Sequence, residues 1–211
     1  MKTIALFVYD PKCSVQSCNA ILHSLKGLYN IKLFSKNSVE DNFFDDVDMV
    51  LVPGGIGDSE TFHTLFKNNA KRVAKFIANG GRYLGICMGA YWAGSHYLKI
   101  LDGIDTVQYI KRPNTDTRRP HAKNIKVYWH GVPTNMFFYD GCAIVGDYSK
   151  FDLIAKYAND DVMAAIQGKI GLIGCHPEAE EWWYNEYSYM KGKWINQQEK
   201  LLEVVSVLME K

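Results

Sequence analysis

Short apolar runs alternate with segments of helical spacing along the first half of the chain. Runs of about four to eight residues rich in β-branched and aromatic side chains predict strands, whereas apolar residues three or four positions apart predict helices. Strands that alternate with helices are typical of a parallel sheet with crossover helices on both faces, so we expect an α/β fold. The predicted strands are Thr3–Tyr9, Ile31–Phe34, Met49–Val52 and Tyr83–Ile86, and the predicted helices are one between Ser14 and Gly27, one over Asn68–Ala78 and one after Cys87.

The second half of the chain has a different pattern. Residues 100–125 contain few apolar runs, which predicts an extended loop or a hairpin excursion. Short β-rich runs follow, and residues 167–169 between two of them suit a tight hairpin turn. The predicted strands are Val127–Trp129, Ala143–Val145, Leu153–Tyr157, Val162–Ile166 and Ile170–Gly174, and a final helix is predicted over about Asn196–Met209.

The composition is that of an ordinary globular protein. The 211 residues fit a single domain over 1–211, and 47% hydrophobic with 22% charged residues excludes a disordered, collagen-like or coiled-coil chain. A net charge of +1 provides no global attraction to nucleic acid or to an acidic membrane. No apolar stretch approaches the ~20 residues that cross a bilayer. Five cysteines without framework spacing indicate free thiols, so we expect a soluble, cytoplasmic protein.

The sharpest chemical motif is GICMGA at residues 85–90, between a predicted strand and a predicted helix. In a nucleophile elbow, small residues on both sides permit a tight turn that holds the nucleophile in a strained, exposed conformation. Cys87 occupies that position, and the N-terminus of the following helix would favour its thiolate form. On this motif alone, a buried structural cysteine in a glycine-rich turn is an equally good interpretation.

A second motif, GCHPE at residues 174–178, follows the last predicted central strand. Pro177 makes the turn rigid, so His176 and Glu178, two residues apart, can project from the same side. His176 would then take the proton of Cys87, while Glu178 would fix the tautomer of the imidazole and stabilise its charged form. A His-Pro-Glu string has no meaning by itself, and its significance lies in the pairing with the elbow.

A third motif, VPGGIGDS at residues 52–59, also lies at a strand end. Glycines there allow a backbone N–H to point at a developing oxyanion, so Gly54 and Gly55 are candidate donors, with the N–H of Met88 as a second donor. For this segment alone, a plain turn between a strand and a helix is the better interpretation.

Together and in this order, the three motifs resemble those of the class I glutamine amidotransferase-like superfamily, whose members carry a PGG loop, a G-x-C-x-G elbow and a late H-P-E. The resemblance extends from the first strand to about Glu178. The stretches IALFVYD, GGRYLGICMGAYWAG and AIQGKIGLIGCHPE are most similar to the N-terminal domain of eukaryotic-type biotin-protein ligases and its stand-alone relatives. The resemblance implies a flavodoxin-like, doubly wound, mostly parallel sheet with helices on both faces, and a Cys87–His176–Glu178 triad.

One departure from the superfamily pattern concerns the substrate. Members that hydrolyse glutamine usually carry a Gln shortly after the elbow, where this chain has Ala90 and Tyr91. Neither side chain offers the donor and acceptor of an amide, so we expect glutamine to be a poor substrate. Tyr91 offers a ring and a hydroxyl group in its place, which makes it a candidate substrate-binding residue.

Three further features have simpler explanations than a functional site. Cys13 and Cys18 lack a second pair of ligands, so no metal site is expected, and no motif predicts a cofactor. The basic residues of segment 111–126 favour a solvated loop over a grip on phosphate or an acidic partner. The aromatic residues of segment 182–194 favour packing against the sheet, with a wall of the substrate pocket or a protein interface as alternatives.

These patterns favour a hydrolase or transferase that acts on an amide or related acyl group of a small molecule. Cys87 would attack the carbonyl carbon, His176 would transfer the proton, and water or an amine would resolve the acyl-enzyme. The alternative is a non-catalytic binding or regulatory module that keeps the fold and is related to the N-terminal domain of biotin-protein ligase. The reactivity of the Cys87 thiol separates the two hypotheses.

Overall fold

The computed structural model describes residues 1–8, 15–36, 40, 42–55 and 58–211. Within these residues the strands are β1 (Thr3–Phe7), β2 (Asn30–Phe34), β3 (Met49–Val52), β4 (Arg82–Ile86), β5 (Ile104–Gln108), β6 (Lys123–Trp129), β7 (Val132–Phe138), β8 (Cys142–Gly146), β9 (Asp152–Tyr157), β10 (Val162–Gln167) and β11 (Ile170–Ile173). The helices are α1 (Val15–Leu25), α2 (Ser59–Leu65), α3 (Lys67–Ala78), α4 (Met88–Ala93), α5 (Glu181–Asn185) and α6 (Gln198–Glu210).

The strands form one mixed sheet with a parallel part and an antiparallel part. Strands β2, β1, β3, β4 and β11 lie side by side and run parallel. Strands β10, β9, β6 and β7 extend the sheet beyond β11 with antiparallel pairing, and β8 pairs with both β10 and β5. The predicted α/β class of the flavodoxin-like type is confirmed.

Successive residues of a strand point to opposite sides of the sheet, so the continuously apolar parallel strands have two apolar faces. Helices cover both of these faces. In β1, Ile4 and Leu6 join one hydrophobic cluster with Ile21 and Leu25 of α1 and the buried residues of α6. Ala5 and Phe7 join a second cluster with the buried residues of α2, α3 and α4. Each fully buried apolar side chain of ordinary size contributes ~1.5–3 kcal/mol, so the two clusters are the main source of stability.

The predicted strands agree with the structure closely where both faces are buried. β3 begins and ends at the predicted residues, and β4 and β11 differ by one residue each. Two strands and two helices were not predicted: β5, which replaces part of the expected loop over 100–125, β7, α2 and α5. Tyr9 and Ser14 lie outside the described residues.

Both missed strands have weak sequence signals. β7 contains Pro133 and the polar Thr134 and Asn135, and Pro is tolerated in a strand mainly at a sheet edge, where β7 lies. β5 forms an antiparallel pair with β8, with Thr106 opposite Ile144. Because that partner is distant in sequence, the local pattern gave no indication of the pairing. Of the helices that the structure describes, none combines the length and the apolar character needed to cross a bilayer.

Candidate active site

Three neighbouring parallel strands carry the three motifs at the same edge of the sheet. β4 lies between β3 and β11, with Val52 opposite Gly85 and Ile173 opposite Ile86. The PGG loop follows β3, Cys87 follows β4, and the GCHPE segment follows β11. Since the carboxyl ends of parallel strands meet at one edge, the topology brings the motifs together, at the position where open α/β sheets bind ligands.

Cys87 has the strained backbone of a nucleophile elbow. Its φ is +48° and its ψ is −100°, values that non-glycine residues rarely adopt and that cost ~1–3 kcal/mol. The turn is held by a hydrogen bond from the Cys87 N–H to the Ile173 carbonyl at 2.8 Å. A Cβ atom on Gly89 would lie 2.1 Å from the Val52 carbonyl oxygen, so the tight turn requires glycine there. Only 4% of Cys87 is exposed.

His176 and Glu178 form a buried pair beside the elbow. The Nδ1 of His176 donates to Oε1 of Glu178 at 2.9 Å, and Glu178 is fully buried. The backbone N–H of His176 also donates to the Phe137 carbonyl at 2.9 Å, which fixes the GCHPE segment against β7. The structure therefore brings together the His and the Glu of the predicted triad, with Nε2 left for a partner on the other side of the ring.

A side-chain hydrogen bond also joins His176 to Cys87, and the charges around the imidazole favour its protonated form. Burial lowers the pKa of His176, but the charges of Glu178 and Cys87, together with hydrogen bonds to both side chains, raise the pKa of His176 to about 10. A His pKa of about 6.5 is usual in water. The arrangement therefore favours the imidazolium form of His176 at neutral pH.

Ser17 of α1 completes the polar network and was not predicted. Its hydroxyl donates to Oε1 of Glu178 at 2.6 Å and accepts the Gly54 N–H at 3.0 Å. The buried carboxylate thus receives hydrogen bonds from two side chains, although Oε2 of Glu178 has no partner within the described part of the chain. A single serine near the start of a helix carries no sequence signal for such a role.

The role predicted for Gly54 needs correction. Its N–H is donated to Ser17, so it is not directed at a developing oxyanion in this structure. Gly54 has a steric function: a Cβ atom there would lie 2.4 Å from Cε1 of His176. Gly55 lines the cavity next to Cys87, and Met88 is the first residue of α4, where N–H groups have no partner within the helix. As oxyanion donors, Gly55 and Met88 remain predictions.

Two aromatic rings pack against the imidazole of His176. The ring of Phe137 meets the His176 ring edge-on at 5.9 Å, and the ring of Trp183 meets it at 5.7 Å. Trp183 and Tyr184 are buried in a small cluster with Phe137. The aromatic segment therefore includes packing residues, as predicted for part of it. Of the described residues that line the cavity, none comes from 182–194.

Cys87 opens onto a cavity of about 590 Å³. Its sulfur lies 3.7 Å from the Tyr139 carbonyl oxygen, which accepts from the thiol. The predicted substrate-binding residue Tyr91 lies in the wall, where its hydroxyl donates to the Asp140 carbonyl at 3.1 Å. Burial raises the pKa of Tyr91, so the phenol stays neutral. Two carboxylates and three tyrosines share the lining with Cys87: Asp58, Asp140, Tyr91, Tyr97 and Tyr139.

The other described cysteines lie in surroundings that are typical of structural thiols. Cys142 and Cys175 are fully buried, and burial raises the pKa of both thiols. Cys18 donates to the Phe7 carbonyl at 3.5 Å. Cys13 lies outside the described residues. Within the described ranges, no group of three or more His, Cys, Asp or Glu side chains is arranged to hold a metal ion.

Several charges of the basic segment 111–126 are engaged within the chain. Arg112 binds the Asp161 carboxylate through two nitrogens, at 2.9 and 3.0 Å. The Lys123 ammonium donates to the Asp116 carbonyl, and the Lys126 ammonium lies 5.1 Å from the centre of the Tyr128 ring. These contacts favour a structural use of the segment over a phosphate site.

Comparison with known proteins agrees with the geometry. The model of the family described as "Biotin-protein ligase, N terminal" matches residues 6–101. An uncharacterized protein of Chlamydia muridarum (strain MoPn / Nigg) is 34% identical over 53 residues, which cover 25% of this chain and 20% of that protein. The matched segment thus spans about a fifth of that curated relative.

Solved structures of glutamine amidotransferases have the same fold. One is 16% identical with a TM-score of 0.61 and covers 83% of this chain and 90% of its own. Another, from Thermotoga maritima, is 12% identical with a TM-score of 0.60 and covers 99% of this chain and 94% of its own. At such identities the likeness shows the fold. The predicted fold is confirmed, and over residues 6–101 the family match agrees with the predicted resemblance to the biotin-protein ligase N-terminal family.

Proposed function

We propose that this class I glutamine amidotransferase-like protein is a cysteine-dependent hydrolase or transferase that acts on an amide or related acyl group of a small molecule. The observation that carries the proposal is the buried His176–Glu178 pair beside a cysteine in the strained backbone of an elbow. A strained backbone of this kind persists where the surrounding structure enforces it, and it clusters at functional sites.

In the proposed reaction, the Cys87 thiolate adds to the carbonyl carbon of the substrate. The C–N bond of the tetrahedral adduct then breaks as the His176 imidazolium gives its proton to the leaving nitrogen. Water or an amine attacks the thioester that remains, His176 takes the proton of this nucleophile, and the C–S bond breaks to restore the thiolate. Glu178 keeps the imidazole in the required orientation, as the third member of the triad.

An activated acyl ester, p-nitrophenyl acetate, tests this proposal. The purified protein should acquire an acetyl group on Cys87, detected by peptide mass mapping, with a matching burst of nitrophenolate. Cys87→Ala should lose the adduct, whereas Cys142→Ala, which removes a buried thiol outside the triad, should retain it. An adduct that forms equally well in Cys87→Ala would refute the proposal.

Glutamine itself is expected to be a poor substrate. Efficient hydrolysis requires groups that fix the amino-acid end of glutamine, and much of the rate depends on that orientation. Tyr91 directs its hydroxyl to the Asp140 backbone, so it does not act as the amide would. Ammonia release from glutamine should stay near the level of a Cys87→Ala blank. Robust turnover that the variant abolishes would show that another residue binds glutamine.

The binding-module alternative is favoured by the exposed aromatic residues of segment 182–194. Trp182 is 43% exposed and Tyr189 is 51% exposed. Large aromatic side chains are typical of the cores of protein interfaces, so their exposure here favours a binding surface. Such a function would survive Cys87→Ala and would be weakened by Trp182→Ala. Comparison of protein capture by the two variants separates this function from catalysis.

A further inference from the structure

The cavity that Cys87 lines is chemically suited to a positively charged ligand. Asp58 and Asp140 contribute carboxylates to the lining, and Tyr91, Tyr97 and Tyr139 contribute rings. None of the described lining residues is a lysine, an arginine or a histidine. Carboxylates attract cations and aromatic faces accept them, whereas an anionic group would find repulsion there.

Asp140 is the better placed of the two carboxylates. Nε2 of Gln108 donates to both of its carboxylate oxygens, at 3.0 and 3.3 Å. The Tyr91 hydroxyl donates to its backbone carbonyl, and the backbone has a φ of +53°. Asp58 is the N-cap of α2, where Oδ1 of its side chain accepts the Thr61 N–H. The position of Asp140 in the cavity wall is therefore fixed from two sides.

The surroundings of Asp140 leave its charge only partly compensated. Burial raises the pKa of Asp140, and the hydrogen bond from Gln108 and the charge of the exposed Lys111 lower it without cancelling the rise. A carboxylate that is taken from water without a full ionic partner gains most when a cation arrives. A ligand with a positive charge would supply that partner.

We propose that the acyl part of the substrate carries an ammonium or guanidinium group, which pairs with Asp140 and lies against the tyrosine rings while its carbonyl lies at Cys87. This inference rests on the proposed function, since it requires Cys87 to react with a ligand in this cavity. Free glutamine meets this requirement only in part, because its acyl part carries a carboxylate as well as an ammonium group. The carboxylate of glutamine would find no cationic partner among the described lining residues.

Small alkylating reagents of different charge test the inference directly. The reagents are 2-bromoethylamine, iodoacetamide and iodoacetate, which are cationic, neutral and anionic. For each reagent, the rate of Cys87 alkylation is divided by the rate at which the same reagent alkylates N-acetylcysteine at the same pH. This division removes differences in intrinsic reactivity among the three reagents. The normalised rate should be highest for the cation and lowest for the anion, with a ratio of about tenfold or more between these two.

Two aspartate variants locate the effect. Asp140→Asn keeps the size of the side chain and removes its charge, so the cation-to-anion ratio should fall about tenfold. Asp160→Asn is the matched control, because Asp160 also has a positive φ, of +70°, but is exposed beside Lys156 and lies outside the cavity lining. Its ratio should equal that of the wild type.

The outcomes separate this inference from the proposed function. Alkylation of Cys87 by iodoacetamide without any preference for the cation would overturn the inference alone, and so would a preference that Asp140→Asn leaves intact. Failure of iodoacetamide to alkylate Cys87 would overturn the proposed function, and the inference with it.

Discussion

His176 is a buried imidazole between two acidic side chains, Glu178 and Cys87. Burial lowers its pKa, and the two partners raise it to about 10, above the value of about 6.5 that is usual in an unfolded chain. Because the pKa is higher in the folded state, the charge of His176 stabilises the fold. This contribution is complete below pH ~6.5 and is lost as the pH rises from there through about 10.

A side-chain NMR titration of His176 checks this description. In the wild type, we expect an imidazolium at pH 8 and a midpoint near 10. In Cys87→Ala the midpoint should be lower, because one of the two partners that raise the pKa is gone. His176→Gln identifies the resonance. A wild-type midpoint at or below about 6.5 would show that the buried pair does not hold a charged imidazole.

At the scale of elements, Ser17 of α1 connects the PGG loop to Glu178 of the proposed triad. The hydroxyl lies between the Gly54 N–H and the Glu178 carboxylate, so it links β3 and β11 through their following loops. Removing it would leave a buried N–H and a buried carboxylate with fewer partners, and a loss of this kind costs ~1–3 kcal/mol.

Ser17→Ala should therefore lower the free energy of unfolding by ~1–3 kcal/mol and slow the acetylation of Cys87 in the folded protein. Ser24→Ala is the matched control on the same helix, where the hydroxyl bonds only to the Ala20 carbonyl of the preceding turn among the contacts described. Urea unfolding and the burst rate are measured for both variants. Equal effects of the two substitutions would contradict a positioning role for Ser17.

The sequence predicted those elements whose patterns are local. β3, β4 and β11 are buried on both faces, so their continuous apolar runs were visible, and their order along the chain allowed the motifs to be paired. Ser17 escaped notice because its contact with Glu178 spans 161 residues. The use of the Gly54 N–H depended on the path of the loop, which the glycine pattern does not determine.

The walls of the cavity were missed for a related reason. Gln108 ends β5, and Tyr139 and Asp140 follow β7, the two strands that sequence patterns did not predict. Both strands belong to the antiparallel part of the sheet, where pairing with distant partners decides their structure. The candidate nucleophile was therefore predictable, whereas the residues proposed to select the substrate were not.

At the scale of the whole molecule, the loops after the parallel strands supply the proposed triad, and the antiparallel extension supplies part of the cavity wall. Two hydrophobic layers hold this arrangement, and α6 contributes to one of them. Leu201 of α6 is fully buried, whereas its neighbour Leu202 is only partly buried. The two leucines thus offer a direct comparison within one helix.

Leu201→Ala should lower the free energy of unfolding by ~2–5 kcal/mol, because it removes a fully buried side chain and leaves a cavity. Leu202→Ala should cost clearly less, since part of its surface is already in contact with water. Chemical denaturation of both variants measures the difference. Similar losses for the two would show that α6 does not cover the sheet as described.

The central claim is that Cys87 is an activated nucleophile, and competitive thiol labelling tests it most directly. The protein is treated with limiting iodoacetamide at neutral pH, and peptide mapping gives the order in which the five cysteines react. Cys87 should react first, ahead of the buried Cys142 and Cys175, and His176→Gln should slow it about tenfold or more. Labelling of Cys13 or Cys142 before Cys87, or a Cys87 rate that His176→Gln leaves unchanged, would contradict the account.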